Sequence, residues 1–415
     1  MNFLNPGSRD PSVEEFDTRT LLANAARQAE ERRYRDFMIV DVDAHHYETD
    51  SFAEIIEFIE DPVQRHLAQY TQGRNLSGQQ GPPGHQEMSG RITRYPGRAR
   101  EKKMMTAPPH RDITLTKRWM DAIGVDIACI FPTPMLALAL HPQVEVEVGL
   151  ARAYNRWLTE TILAGEPRIK SMLYLPMNDP GAALRVVEEF GDRPGVIGFM
   201  VTSTRYKPVY DNAYMKIYAA LEERGLPLAF HAAFNWHDQM LSQANRFITV
   251  HALGFTFFNI VHLTNWIING LPERFPKLKT IWIESGLAWL PFVMQRLDNE
   301  YMMRSSEAPS LKRLPSEYMR DMYFTSQPME MVGNREALEL TFKMIKAETQ
   351  LLYSSDYPHW DMDLPSTIFD LPFLDMAAKR NILGENARRL FKLEPLISES
   401  KLARRAAAAG DAAAE

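Results

Sequence analysis

Asp43, His45 and Glu48 close the apolar run Phe37-Met-Ile-Val-Asp-Val-Asp-Ala-His-His-Tyr-Glu48, where ordinary turn residues would be expected. In an extended strand alternate side chains share a face, so Asp43 and His45 point one way while Ala44 and His46 point the other. A carboxylate and an imidazole side by side are a ready pair of ligands for a divalent cation. Three more apolar runs end in chemistry-bearing residues: Leu226-Pro-Leu-Ala-Phe-His231, Lys279-Thr-Ile-Trp-Ile-Glu284 and Gln350-Leu-Leu-Tyr-Ser-Ser-Asp356. Acids often follow strands simply as helix caps. A histidine with no polar neighbour in sequence, as at His231, is harder to explain in that way.

These residues can meet only if one sheet carries them all. Eight short apolar runs, at 38–42, 126–131, 171–175, 196–201, 226–231, 279–284, 321–325 and 350–356, alternate with helical spacing. Alternation of this kind predicts a parallel sheet, and eight repeats predict an α/β fold closed as a (β/α)8 TIM barrel. A doubly wound open sheet is the alternative. The Gly-x-Gly-x-x-Gly phosphate fingerprint such sheets often carry is missing after the first strand. In a barrel the active site lies at the carboxyl ends of the strands, which gathers Asp43, His45, His231, Glu284 and Asp356 at one mouth.

Around this unit, residues 1–36 are polar and read as an N-terminal arm with a helix at 20–32. The barrel occupies 37–395. Residues 71–113, rich in Gly, Pro, Gln and Arg, form a long inserted loop after strand one, of the kind used as a lid or binding loop. Arg91, Arg94, Arg98 and Arg100 cluster there. Arg94 stands for that cluster as a candidate two-pronged ligand of a substrate carboxylate. The segment 396–415 ends in Ala406-Ala-Ala-Ala-Gly-Asp-Ala-Ala-Ala-Glu415, has little apolar bulk to bury, and is expected to be a disordered tail.

Composition narrows the function. A net charge of −6 gives no basic surplus for nucleic acid. No run of ~18 apolar residues is present, so no membrane span is expected, and the first residues lack a secretory layout. Cys129 is the only cysteine, which rules out an intrachain disulfide and reads as a core thiol. A cytoplasmic enzyme acting on a small molecule is the expectation.

The motifs Asp43-x-His45-x-x-Glu48, the strand ending at His231, Gly270-Leu-Pro-Glu-Arg-Phe-Pro-Lys-Leu-Lys279, Glu284-Ser-Gly-Leu-Ala-Trp-Leu-Pro291, Ser354-Ser-Asp-Tyr-Pro-His359 and Arg380–Phe391 together resemble the amidohydrolase superfamily. Within it they look most like the branch holding aminocarboxymuconate-semialdehyde decarboxylase and the resorcylate-type decarboxylases. The likeness spans roughly residues 37–393. It implies one divalent metal ion held by Asp43, His45, His231 and Asp356. Such an N/O set suits zinc, with manganese as the substitute. Relatives with two metals bridge them through a carboxylated lysine on strand four, and Gly198-Phe-Met-Val-Thr-Ser203 has no lysine.

The chain departs from the family in two places. Tyr47 stands where the commoner first motif has a second histidine, which makes Asp43 the carboxylate ligand. Glu284 stands where many relatives end strand six in an acid/base histidine. A glutamate does that work only if its pKa rises from ~4.3 toward neutrality; otherwise it orients a ligand. His262 and His251, on the helix between strands five and six, are spatial stand-ins, and Asp356 is a second catalytic candidate. Trp236 and His359 are candidate substrate-binding residues, with Phe234 and Trp360 nearby. The resemblance implies non-oxidative decarboxylation of a planar aromatic or unsaturated carboxylate. Hydrolysis of an amide, ester or C–C bond by metal-activated water is the alternative, and a catalytically dead barrel used for binding is a third reading. Relatives are commonly dimers, which implies a homo-oligomer.

Overall fold

The protein is described by a computed structural model over residues 18–71 and 109–414, apart from 206, 332 and 360. Arg94, Trp360 and most of the 71–113 loop therefore lie outside the described residues. Eight strands follow in order: β1 Val40–His46, β2 Ile127–Pro132, β3 Ile169–Tyr174, β4 Val196–Thr202, β5 Leu228–His231, β6 Thr280–Ile283, β7 Tyr323–Thr325 and β8 Leu351–Leu352. Each pairs in parallel with the next. The last strand returns to the first: Val42 N donates to Tyr353 O at 2.9 Å, His45 N to Tyr357 O at 2.7 Å and Asp356 N to Asp43 O at 2.7 Å. These bonds close the sheet into the predicted (β/α)8 barrel.

The strands read as apolar runs because each is covered on both faces. Every residue of β1, β2, β5 and β6 is buried. Phe230 of β5 stacks on Trp282 of β6 with centroids 4.3 Å apart and planes 8° from parallel, against the outer helical layer at Trp266. Burying rings of this size contributes roughly 1.5–3 kcal/mol each. Crossover helices stop where the sequence places a left-handed residue. Arg111–Ile123 ends at Gly124 (φ 81°) and Met215–Arg224 at Gly225 (φ 64°), a conformation that costs glycine little.

Two elements differ from expectation. The 396–415 segment is not a disordered tail but carries the helix Glu399–Ala414. Its anchor is charge rather than apolar bulk. Buried Lys401 donates through Nζ to Asp126 Oδ2 at 2.5 Å and to Phe37 O at 2.8 Å, and Ser398 N donates to Asp126 Oδ1 at 2.8 Å. The second is Phe247–Ile268, which carries no charged side chain over 22 residues and is long and apolar enough to cross a membrane. It packs instead as a barrel helix, burying Phe255, Phe258, Asn259, His262, Leu263 and Trp266.

Candidate metal centre

Strand ends deliver the site. The register of β1 on β2 shifts between Asp41 and Ala44, a bulge of the kind that re-aims a side chain. Past it, Asp43 and His45 share a face as the alternation predicts: His45 Nε2 lies 3.3 Å from Asp43 Oδ1. His46 points away, bonded to Asp112 at 3.1 Å and Tyr154 at 2.8 Å, with its ring stacked on Trp157. His231 Nε2 arrives from β5 at 3.2 Å from Asp43 Oδ1, and Asp356 Oδ1 arrives from β8 at 3.2 Å from His45 Nε2. All four side chains are buried.

The outer nitrogens fix the tautomers. His45 Nδ1 lies 3.0 Å from Pro132 O, and His231 Nδ1 lies 2.8 Å from Ala232 O. A carbonyl only accepts, so each Nδ1 carries a proton and each Nε2 faces inward, where in the neutral ring its lone pair is available to a cation. Burial and the neighbouring His359 ring hold the pKa of His45 below its usual value, which keeps it neutral despite the carboxylates. Two imidazole nitrogens and two carboxylates therefore converge, and among the described residues Asp43 Oδ2 has no hydrogen-bond partner. Such a donor set fits a divalent cation.

The carboxylates differ. Burial pushes the Asp43 carboxyl up, but His231 and His45 beside it outweigh that and hold it below the usual range. Burial, with Asp361 and Asp43 nearby, pushes Asp356 well above that range. Asp356 also meets His359 Nδ1 at 2.8 Å and accepts from Gln327 Nε2 at 3.3 Å. Its backbone is left-handed (φ 57°), as is that of Glu284 (φ 56°). For residues with a Cβ this strain costs on the order of 1–3 kcal/mol and clusters at functional sites.

The remaining candidates divide. Glu284 joins the cluster: it is buried, its Oε2 lies 3.7 Å from His231 Nδ1, and a ligand atom of its carboxylate lies within 4.8 Å of those of Asp43, His45 and His231. His359 sits deeper than a mouth-lining residue, its ring 4.3 Å from that of His45 and its Nε2 3.2 Å from Thr133 Oγ1. Trp236 is buried in an aromatic group with Phe234 and Phe247. His262 is a correction. It stacks on Phe230, an outward side chain of β5, and bonds Ser203 O at 2.7 Å, so it lies between helix and barrel rather than in the cluster. Glu48 ties β1 to the β2 loop by accepting from Thr133 N at 2.9 Å and Met135 N at 2.6 Å, and burial pushes its carboxyl up to about 7.

Some positioning residues carry no signal in the sequence. Gln327, just past β7, also donates to Asp361 O at 3.3 Å and so braces Asp356 against the β8 loop. Asp41 accepts from Asp43 N at 3.1 Å and Ser355 N at 2.9 Å, joining the two ligand strands.

The chain belongs to the amidohydrolase family, whose model, described as Amidohydrolase, matches residues 40–393. Among curated proteins it is similar to the gamma-resorcylate decarboxylase of Rhizobium radiobacter, 23% identical over 286 residues, covering 66% of this chain and 85% of that protein. Among solved structures it is similar to the 5-carboxyvanillate decarboxylase of Sphingomonas paucimobilis, with a TM-score of 0.60 at 21% identity, over 86% of this chain and 100% of the other. The dihydroxybenzoic acid decarboxylase of Polaromonas sp. JS666, solved with bound manganese and the inhibitor 2-nitroresorcinol, gives a TM-score of 0.58 at 19% identity, over 86% and 97% of the chains.

Proposed function

We propose that this chain is a metal-dependent carboxy-lyase that removes CO2 from a planar, hydroxylated aromatic carboxylate. The observation that carries the reading is the pair of inward Nε2 atoms, on His45 and His231, facing two buried carboxylates. The likeness to decarboxylases of gamma-resorcylate and 5-carboxyvanillate supports the substrate class. Asp43, His45, His231 and Asp356 would hold one divalent ion, either zinc or manganese, since both suit this donor set. When bound, such an ion supplies positive charge that attracts substrate oxygens and stabilises negative charge growing on them.

The chain's own groups do the rest. The Pro132 and Ala232 carbonyls hold both imidazoles with Nε2 aimed inward. Gln327 and His359 fix the Asp356 carboxylate, and Glu284 lies behind His231 as its electrostatic partner. Phe131, with its ring 4.7 Å from that of His231, keeps the floor of the mouth apolar. Fixed dipoles in a dry site cost no reorganisation during reaction.

The test is a product survey. The purified chain, loaded with Mn2+ or Zn2+, is given 2,6-dihydroxybenzoate and 5-carboxyvanillate, then matched aryl esters and amides. CO2 with the decarboxylated phenol is the expected outcome. Hydrolysis of the esters or amides without any CO2 would sink the reading.

A further inference from the structure

Strand β7 brings no imidazole or carboxylate of its own to the ligand cluster, yet the chain that leaves it reaches both neighbouring strand ends. Thr325 Oγ1 accepts from Glu284 N at 3.0 Å on one side, and Gln327 Nε2 donates to Asp356 Oδ2 at 3.3 Å on the other. Three residues further on stands Glu330, an exposed residue of the same loop. Its Oε2 accepts from Leu287 N at 2.9 Å and from Ala288 N at 3.1 Å. Those two N–H groups lead into the helix Trp289–Arg304. A helix is short of backbone acceptors at this end and favours negative charge there.

Between β6 and that helix the chain turns through Glu284, Ser285 and Gly286. Glu284 (φ 56°) and Gly286 (φ 74°) are both left-handed, so the turn depends on what surrounds it. Thr256 Oγ1 donates to Ser285 O at 2.9 Å, and Trp289 Nε1 donates to Gly286 O at 2.9 Å. Gly286 lies so close beneath Glu330 that a Cβ on it would collide with Oε1. Glu330 is the one charged group among these supports, and it reaches the turn from the outside.

This turn decides where the Glu284 carboxylate goes. Its Oε2 lies 3.7 Å from His231 Nδ1, on the side of the ring opposite the inward Nε2. A carboxylate near that nitrogen makes the other one a stronger donor to a cation.

We propose that Glu330 is a positioning residue of the metal centre. By clamping Leu287 and Ala288 it holds the left-handed turn, and the turn keeps the Glu284 carboxylate beside His231. β7 thereby supports both neighbours, Asp356 through Gln327 and Glu284 through Glu330. The assignment rests on the cation-binding part of the proposed function and is independent of which substrate bond breaks.

The experiment titrates Mn2+ calorimetrically into chelator-treated wild type, Glu330→Ala, Glu330→Gln, Glu284→Gln and the double variant Glu284→Gln/Glu330→Ala. Losing a group beside a metal-ligating histidine weakens binding about 10–100-fold, the expectation for Glu284→Gln. Glu330→Ala, one step further out, is expected to weaken it about tenfold, the lower end of that range. Glu330→Gln keeps an oxygen for both N–H groups and is expected to restore most of the affinity. The double variant is expected to bind no more weakly than Glu284→Gln, because the clamp then has no carboxylate to aim. Wild-type affinity in Glu330→Ala overturns the assignment. An equal loss from Glu330→Ala in both backgrounds also overturns it, since the two residues would then act independently. So does a Glu330→Gln protein as weak as Glu330→Ala, which would make charge rather than the clamp the cause. Failure of the wild type to bind Mn2+ overturns the metal centre, and this assignment with it. Failure to release CO2 with these affinities as expected overturns the decarboxylase reading alone.

Discussion

Cation binding should stabilise the fold by an amount His231 controls. Four buried donors meet within 3.2–3.3 Å of one another in sequence along the cluster, and two are carboxylates sealed from water. An ion that binds only the folded chain and is present at ~100 times its Kd adds roughly 2.7 kcal/mol. Unfolding entropy of about 2.1 cal/mol/K per residue, taken over the 415-residue chain, makes that a rise in Tm of about 3 °C. Changes merely next to a ligand lower metal affinity about 10–100-fold, so His231→Ala should lose at least that much. At the same ion concentration a 100-fold loss leaves roughly 0.4 kcal/mol, a shift of about 0.5 °C. The assay is thermal unfolding of chelator-treated protein with and without Mn2+ or Zn2+, beside metal analysis. Each variant's shift is compared with its own metal-free baseline, because the alanine also leaves a cavity. A His231→Ala protein with wild-type metal content and the full shift would refute the ligand geometry.

Two further outcomes concern stability. Burial lowers His262 to about 4, against ~6.5 in an unfolded chain, so between those values the unfolded state binds the extra proton. Its contribution is complete above pH ~6.5 and is lost as pH falls toward 4, by roughly 3 kcal/mol. Urea unfolding at pH 7 and 4.5 should show a smaller acid loss for His262→Gln than for wild type; equal losses would contradict the placement. For the C-terminal helix, Lys401→Met strands the buried Asp126 carboxylate and should cost about 3–5 kcal/mol in the same titration. A change below ~1 kcal/mol, the worth of a surface pair, would mean the helix is not anchored there.

Much of the barrel was legible because burial on both faces turns its strands into apolar runs, and because each run stops where the chain turns out toward the mouth. His45 and His46 show how far that logic reaches. Alternation alone separates the residue that faces Asp43 from the one that stacks on Trp157. The C-terminal helix was not legible by the same logic. Its hold on the barrel is polar: Lys401 and the Ser398 N–H meet Asp126, Ser400 meets Asp121, and Arg404 meets Glu30, so apolar bulk in the sequence does not announce it. His262 misled for a related reason: sequence puts it on the right helix, but only the alternation of β5 at Phe230 and His231 shows that it meets the outward ring.

The parts of the site that escaped the sequence are those that act through the backbone. Glu284 and Asp356 are both left-handed, and nothing in their residue type announces it. At Asp356 that conformation coincides with the N–H donated to Asp43 O at 2.7 Å, one of the three bonds that join the last strand to the first. The same turn that closes the barrel therefore carries the carboxylate to His45. Strain at this residue is sustained because one peptide unit serves both barrel closure and ligand placement. Gln327 is invisible for a complementary reason. β7 ends without a titratable group, so its share in the site is an amide bracing Asp356 from the side, and a search confined to acids and imidazoles gives that strand no part at all.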